Sequence, residues 1–143
     1  MSKPANAPMC PCGGGQFSAC CGRFIGQQAI PQTAQELMRS RYTAYTLHDD
    51  AYLYATWHRS TRPAAGGMTT DDADMKWMGL DVRKHQAAGD RATVEFVARY
   101  KVAGRAHRLH EISNFVRELV EDDHQQTVAR WFYVDGSFPE NKK

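Results

Sequence analysis

The chain has 143 residues, with 18 Lys and Arg against 16 Asp and Glu and a formal net charge of +2. That length holds one ordinary hydrophobic core plus a small appendage, and so balanced a charge excludes a basic nucleic-acid binder by bulk electrostatics. No apolar run reaches the roughly 18 residues that a membrane-spanning helix needs, so the expectation is a protein with no membrane segment.

The first segment, "MSKPANAPM", carries one lysine, prolines and no apolar stretch of secretory-signal length, which points to the reducing cytoplasm. All four cysteines follow at once in "CPCGGGQFSACCG", from Cys10 to Gly22. A disulfide pair would close only very short loops there, because Cys20 and Cys21 are adjacent and Cys10 and Cys12 are one residue apart. Clustered thiols in a reducing compartment more often hold metal. A CxC pair can wrap one side of a tetrahedral ion, three glycines let the backbone turn, and the Cys20-Cys21 pair closes the other side. Cys10, Cys12, Cys20 and Cys21 are therefore read as ligands of a structural Zn2+ ion with no open position. The alternative, four unligated thiols in a loose tail, leaves the glycines and cysteines without a purpose.

Cys10 to Gly22 resembles the SEC-C motif, the small zinc-binding element found at the end of the translocase motor SecA and on many other bacterial proteins. The usual CPCGSG reads CPCGGG here, "QFSA" stands where lysines usually stand, and only Arg23 remains basic. The resemblance thus implies the four ligands but weakens any docking onto an acidic chaperone.

From Pro31 the pattern becomes helical. In "PQTAQELMRSRYTAYTLHDD", Thr33 and Glu36 have capping-box spacing, and Leu37, Ser40, Ala44 and Leu47 keep a stripe that Met38, Tyr42 and Tyr45 widen. "HDD" ends this helix, and "DAYLYATWH" predicts a second, short one with Leu53, Tyr54 and Trp57 on its apolar side. "RSTRPAAGGMTT" is a loop by its proline and glycines, and "DDADMKWM" has room for one more helical turn. The second half alternates with period two: "KWMGLDVRKHQ", "RATVEFVARYKV", "AHRLHEISNFVREL" and "TVARWFYVDG" predict four strands, separated by turns at "AAGD", "AGR" and "VEDDHQQ". Ala92, Val94, Phe96, Ala98 and Tyr100 share one face of the second strand, and Trp131, Tyr133 and Asp135 one face of the last. Helices followed by an antiparallel meander make an α+β fold in which the sheet lays its apolar face on the helices.

That order is similar to the NTF2-like cone. With "CPCGGGQFSACCG", "LMRSRYTAY", "TWHRSTRP", "WMGLDV", "VEFVARY", "LHEISNF" and "RWFYVDG" taken together, the chain resembles the YchJ-like family of bacterial proteins, in which a SEC-C motif precedes an NTF2-like domain. The resemblance implies a zinc-binding motif over residues 1–26 and an NTF2-like α+β domain over 27–143. Residues 31–136 carry enough elements for their own core, so loss of zinc should unfold the knuckle alone.

Cones of this type enclose a cavity between helix and sheet and serve as isomerases, dehydratases, ligand binders and dimerisation platforms, so the fold does not choose among them. Tyr42, Trp57, His58, Glu111, Ser113, Phe115, Trp131 and Tyr133 are candidates to line it. Glu111 among aromatics could serve as a general base with raised pKa; the preferred reading is a buried ion pair with Arg39 or Arg41 from the long helix. His58 is a second catalytic candidate, although its place at a helix end favours capping. His107 and His110, three apart on a strand, face opposite ways and do not chelate together, while His48, His85 and His124 fall at predicted turns. "DVRKH" and "RAHR" lack interleaved aromatics, which argues against an RNA platform. No Walker loop, GxGxxG, GxSxG or HExxH is present in the sequence. Two functions remain. The preferred one is an adaptor whose zinc knuckle presents Phe17, Phe24 and Ile25 to a protein partner, with the cone as scaffold. The alternative is a small-molecule binder or enzyme with its site in the cone and Glu111 as base.

Overall fold

The computed structural model describes residues 8–64, 75–122 and 124–139. Three helices, α1 (Cys21–Ile25), α2 (Ala34–Thr46) and α3 (Asp50–Ala55), precede four strands, β1 (Met75–Ala88), β2 (Arg91–Val102), β3 (Arg105–Glu121) and β4 (Thr127–Ser137). The strands form one antiparallel sheet in the order β1-β2-β3-β4. This is the α+β arrangement read from the sequence, with α2 laid across the concave face.

The helix boundaries have local causes. Thr33 caps α2, its Oγ1 accepting the Glu36 N–H at 3.0 Å, and Glu36 Oε1 returns to accept the Gln32 N–H at 2.7 Å. The expected box is thus present, with its return bond one residue earlier than usual. After Leu47, His48 takes φ 57° and turns the chain, and Asp49 caps α3 by accepting the Tyr52 N–H at 3.0 Å. Helix α3 ends before Trp57, earlier than its apolar pattern suggests, because the next residues bond elsewhere. The Tyr133 N–H donates to Thr56 O at 2.9 Å, and the His58 N–H donates to Tyr133 O at 2.7 Å. Residues 56–58 thereby lie along the outer edge of β4, with Trp57 bridged to Tyr133 in parallel.

The strand pattern holds with two corrections. Lys76, Trp77 and Met78 belong to β1 as the strand pattern has it, with Trp77 paired to Tyr100, and Met75 joins them, so the helical turn that "DDADMKWM" has room for does not extend past residue 74; residues 71–74 lie outside the described residues. Three register shifts bend the sheet: between Trp77 and Gly79, between Val82 and Lys84, and opposite Asn114 and Phe115. The last separates Asp135 from the face it was expected to share with Trp131 and Tyr133. Asp135 instead pairs with Asn114, whose Nδ2 donates to its Oδ1 at 2.8 Å. Ala103 (φ 51°) and Gly104 (φ 82°) make the tight turn from β2 to β3, where two consecutive positive φ values suit the twist of a two-residue hairpin.

The core is one cluster. Ala34, Leu37, Met38 and Tyr42 of α2 pack on Ala92, Val94, Phe96 and Ala98 of β2, Phe115 of β3 and Trp131 of β4, and Cys10, Cys12 and Cys21 belong to the same cluster. The segments before and after residue 26 therefore share apolar packing. Phe17 and Ile25 also pack against it, and Phe24 is buried with the Arg23 guanidinium 4.3 Å from its ring centre. Of the apolar tip expected to face a partner, Phe24 is buried, and Phe17 and Ile25 are half-buried.

Candidate functional site

Two groupings of polar side chains stand out, one on each side of α2. The first is the thiol cluster. Gly13 (φ 86°) and Gly15 (φ 125°) adopt left-handed backbone that carries the chain back on itself, and the Cys10 N–H donates to Gly15 O at 2.7 Å. A 3-10 turn over Phe17–Ala19 then delivers Cys20 and Cys21 at the start of α1. One sulfur from each of Cys10, Cys12, Cys20 and Cys21 lies within 4.8 Å of the others. The Cys12 and Cys20 sulfurs are 3.4 Å apart, against about 3.8 Å for two thiolates on a tetrahedral zinc ion. A Cβ on Gly14 would come within 2.8 Å of the Cys20 sulfur and 3.3 Å of that of Cys12, so the loop lies tight against the thiols and a side chain here would shift them.

The thiols share their protons unequally. Bonding from Cys21, and then from Cys20 and Cys10, outweighs burial and holds Cys12 down to about 4, while burial and the Cys12 charge push Cys20 up to about 11. Cys21 is also pushed up, first by its bond to Cys12 and then by burial. A soft divalent cation takes such a cluster as thiolates, with release of the protons it held. Donor set, closeness and geometry fit a closed tetrahedral metal centre. Arg39 Nη1 donates to Cys12 O at 3.0 Å, and the Cys10 sulfur is 3.6 Å from Thr43 Oγ1, so α2 braces the cluster.

The second grouping is a cavity of about 220 Å3 between α2 and the concave face of the sheet. Met38, Arg41, Tyr42 and Tyr45 reach it from α2, at the i, i+3, i+4, i+7 spacing of one helical face. Leu109, Glu111, Ser113 and Phe115 reach it from β3, at the period-two spacing of one strand face. Trp77, Phe96, Ala98 and Tyr133 complete the wall.

Of the residues expected there, Tyr42, Glu111, Ser113, Phe115 and Tyr133 are brought together. The others are not. Trp57 stands behind Tyr133, ring to ring at 5.0 Å and nearly perpendicular, and Trp131 is core, its Nε1 donating to Gln32 O at 3.3 Å. His58 neither caps α3 nor faces the cavity. Its Nδ1 lies 2.7 Å from Ser60 Oγ and 3.1 Å from the Ser60 N, and its Nε2 is 2.7 Å from Glu118 Oε2. That bond, with help from Arg59, keeps Glu118 below the usual carboxylate range. His48 and His124 are exposed as expected; His85 is half-buried within β1 instead of at a turn, opposite Val94. His107 stacks on Tyr100, and His110 pairs with Glu95 at 2.7 Å.

Glu111 corrects the ion-pair expectation. Only 8% of it is exposed, and its Oε2 accepts from Ser113 Oγ at 2.8 Å and from the Tyr133 hydroxyl at 3.1 Å. Arg39 is committed to the thiol loop, and among the described residues no arginine lies within 4.0 Å of the Glu111 carboxylate. Gly136 leaves room for that carboxylate, since a Cβ there would overlap it. Burial raises the Glu111 pKa, against the opposing pull of Ser113, Tyr133 and the more distant Arg41 charge. The folded chain therefore keeps this proton to a higher pH than the unfolded chain does. The stability tied to that proton is present below the unfolded value and is lost as pH rises through the folded one. Glu111→Gln should accordingly leave stability at pH 7 unchanged or raised, with no gain near pH 4. Urea midpoints at the two pH values check this, and a loss of about 3 kcal/mol at pH 7 would restore the ion pair.

Sequence reasoning missed Tyr45, Trp77, Phe96 and Leu109 as wall residues and placed Arg41 there only as an ion-pair partner. Tyr45 and Arg41 were within reach of helical spacing from Tyr42 and Met38; Trp77 lay in the predicted first strand, but the register shift between Trp77 and Gly79 breaks the alternation that would have placed it on the inner face.

The sequence profile of the family described as "YchJ, middle NTF2-like domain" matches residues 33–136. A protein of Ralstonia nicotianae, UPF0225 protein RSc0270, is 55% identical over 135 residues, covering 93% of each chain. A UPF0225 protein of Chromobacterium violaceum is 50% identical over 139 residues, covering 94% of this chain and 96% of that one. Among solved structures, the solution structure of RPA3114, a SEC-C motif containing protein from Rhodopseudomonas palustris, superposes with a TM-score of 0.71 at 28% identity, covering 92% of this chain and 98% of that one. The crystal structure of a SEC-C motif containing protein from Psychrobacter arcticus gives 0.67 at 25% identity, covering 89% and 80%.

Proposed function

The chain belongs to the YchJ family through its NTF2-like domain, and from that premise we propose that it is a small-molecule-binding protein whose site is the cavity under the sheet, stapled by a structural zinc ion on Cys10, Cys12, Cys20 and Cys21. The observation that carries this reading is the cavity itself. A core built only for stability closes such a space with side chains, whereas this one keeps about 220 Å3 beside two buried ionisable groups, Arg41 and Glu111. An apolar pocket with a few convergent polar groups and shifted pKa values is the usual form of a ligand site. A carboxyl with raised proton affinity inside it can exchange a proton with what binds, as general acid or base.

Zinc suits four cysteine thiolates, and with every position filled by protein it supplies cross-linking and leaves the cavity to do the chemistry. The adaptor reading rests on Phe17, Phe24 and Ile25, of which Phe24 is buried and Phe17 and Ile25 are partly buried against the core, so the cavity carries more weight. Among the described residues no helix is long and apolar enough to cross a membrane.

A metabolite screen by thermal shift on the intact, metal-loaded protein should return stabilising compounds. In two-dimensional NMR these should perturb Tyr42, Trp77, Ser113 and Phe115. No stabilising compound, or hits that all map away from these residues, would overturn the cavity as the site.

A further inference from the structure

We propose that the cavity selects a small organic anion, a single ring bearing a carboxylate or a group of similar size and charge, with the negative group on the Arg41 guanidinium; this rests on the cavity being the ligand site. Arg41 is 5% exposed and cannot shed its charge at physiological pH. Its Nη1 is committed, donating to Leu53 O at 2.8 Å and to Thr56 Oγ1 at 2.7 Å, which ties the end of α3 to α2. The Trp57 and Tyr133 rings flank the guanidinium at 5.2 and 4.6 Å. These contacts fix its position and orientation but bring no negative charge.

Among the described residues no carboxylate lies within 4.0 Å of Arg41. Glu111, the acidic residue of the same wall, bonds to Ser113 and Tyr133 instead. A structural arginine in so dry a place is normally matched by a carboxylate, because an uncompensated buried cation is costly. Here the guanidinium lines the cavity, and neither its Nε nor its Nη2 bonds a backbone carbonyl or a carboxylate among the described residues. Its further side-chain bond is to the Tyr45 hydroxyl, a neutral partner on the same wall, and a planar fork left without an anion is shaped for a carboxylate.

The rest of the wall sets the size and character of the ligand. An apolar cavity of about 150 Å3 accommodates benzene, so about 220 Å3 has room for one ring and one carboxylate. Tyr42, Trp77, Phe96 and Phe115 offer ring faces and edges to an aromatic or cyclic body. A cationic ligand would meet Arg41 at close range and be repelled.

The test compares benzoate, benzamide, benzyl alcohol and benzylammonium in titrations of the intact, metal-loaded wild-type protein. Benzoate should bind at least tenfold more tightly than benzamide or benzyl alcohol, and benzylammonium most weakly. In Arg41→Gln that preference should vanish while the neutral compounds keep their affinity. If the variant does not fold, the wild-type comparison decides alone. Neutral compounds binding as tightly as benzoate would overturn the anion inference and leave the cavity reading standing. Absence of binding by all four at millimolar concentration would overturn both.

Discussion

Chelating the metal should lower the melting temperature of the whole chain in a single transition, at a cost of about 5 kcal/mol, or roughly 10–20 °C for a domain of this size. Three of the four cysteines belong to the same cluster as Leu37, Val94 and Phe115. Arg39 reaches from α2 to the carbonyl of Cys12, and Arg23 meets Glu36 across the junction at 3.6 Å. When four sulfurs lose their shared ion, the turn from Cys10 to Cys21 loses its closure and the face of α2 under it loses its cover. A domain of ordinary stability has only about 5–15 kcal/mol in reserve, so the metal-free chain should sit close to its unfolding limit. Circular dichroism in the far and near ultraviolet, with and without chelator, measures this. An unchanged far-ultraviolet melt would show that the knuckle unfolds alone, as its sequence suggests.

Truncating Phe115 to alanine should cost about 3–5 kcal/mol. The ring is 2% exposed, projects inward from β3, and meets Tyr133 edge to face at 5.8 Å between ring centres. It separates the cavity from the packed core below. Its removal takes away buried area on both sides, and the sheet on which it sits is held by hydrogen bonds on two flanks and cannot close the gap. The denaturant midpoint checks the cost. A loss under about 1 kcal/mol would mean that α2 settles into the space.

The elements legible in the sequence were those with strong local signals. Thr33 and Glu36 announce the start of α2, and the period-two pattern of "RATVEFVARYKV" gives the exact bounds of β2. The thiols were legible because four of them share a dozen residues with three glycines. What escaped depends on contacts far apart in sequence. Trp57 looks helical until β4 arrives to bond the residues around it, and no local feature announces that partner. The bulge opposite Asn114 and Phe115 shifts Asp135 out of phase, which alternation alone cannot foresee. Glu111 was recognised as inward-facing, but its partners were misassigned. Helical spacing places two arginines on α2 without saying that one reaches the thiol loop and the other the cavity.

The stretch from Thr56 to His58 along β4 bears on how the protein avoids aggregation. A four-stranded sheet has two outer strands whose unpaired amides and carbonyls invite another chain to join. On β4, Thr56 and His58 occupy the backbone groups of Tyr133, and the Thr61 hydroxyl takes the carbonyl of Val134 at 2.5 Å. On β1 the deterrent is different: two bulges break the regular edge, and Lys76, Arg83 and Lys84 place positive charge along it. One edge is occupied at Tyr133 and Val134 by the protein's own chain, and the other is made a poor template. Damage to the junction after α3 should therefore appear first as concentration-dependent self-association through β4, ahead of any loss of the sheet.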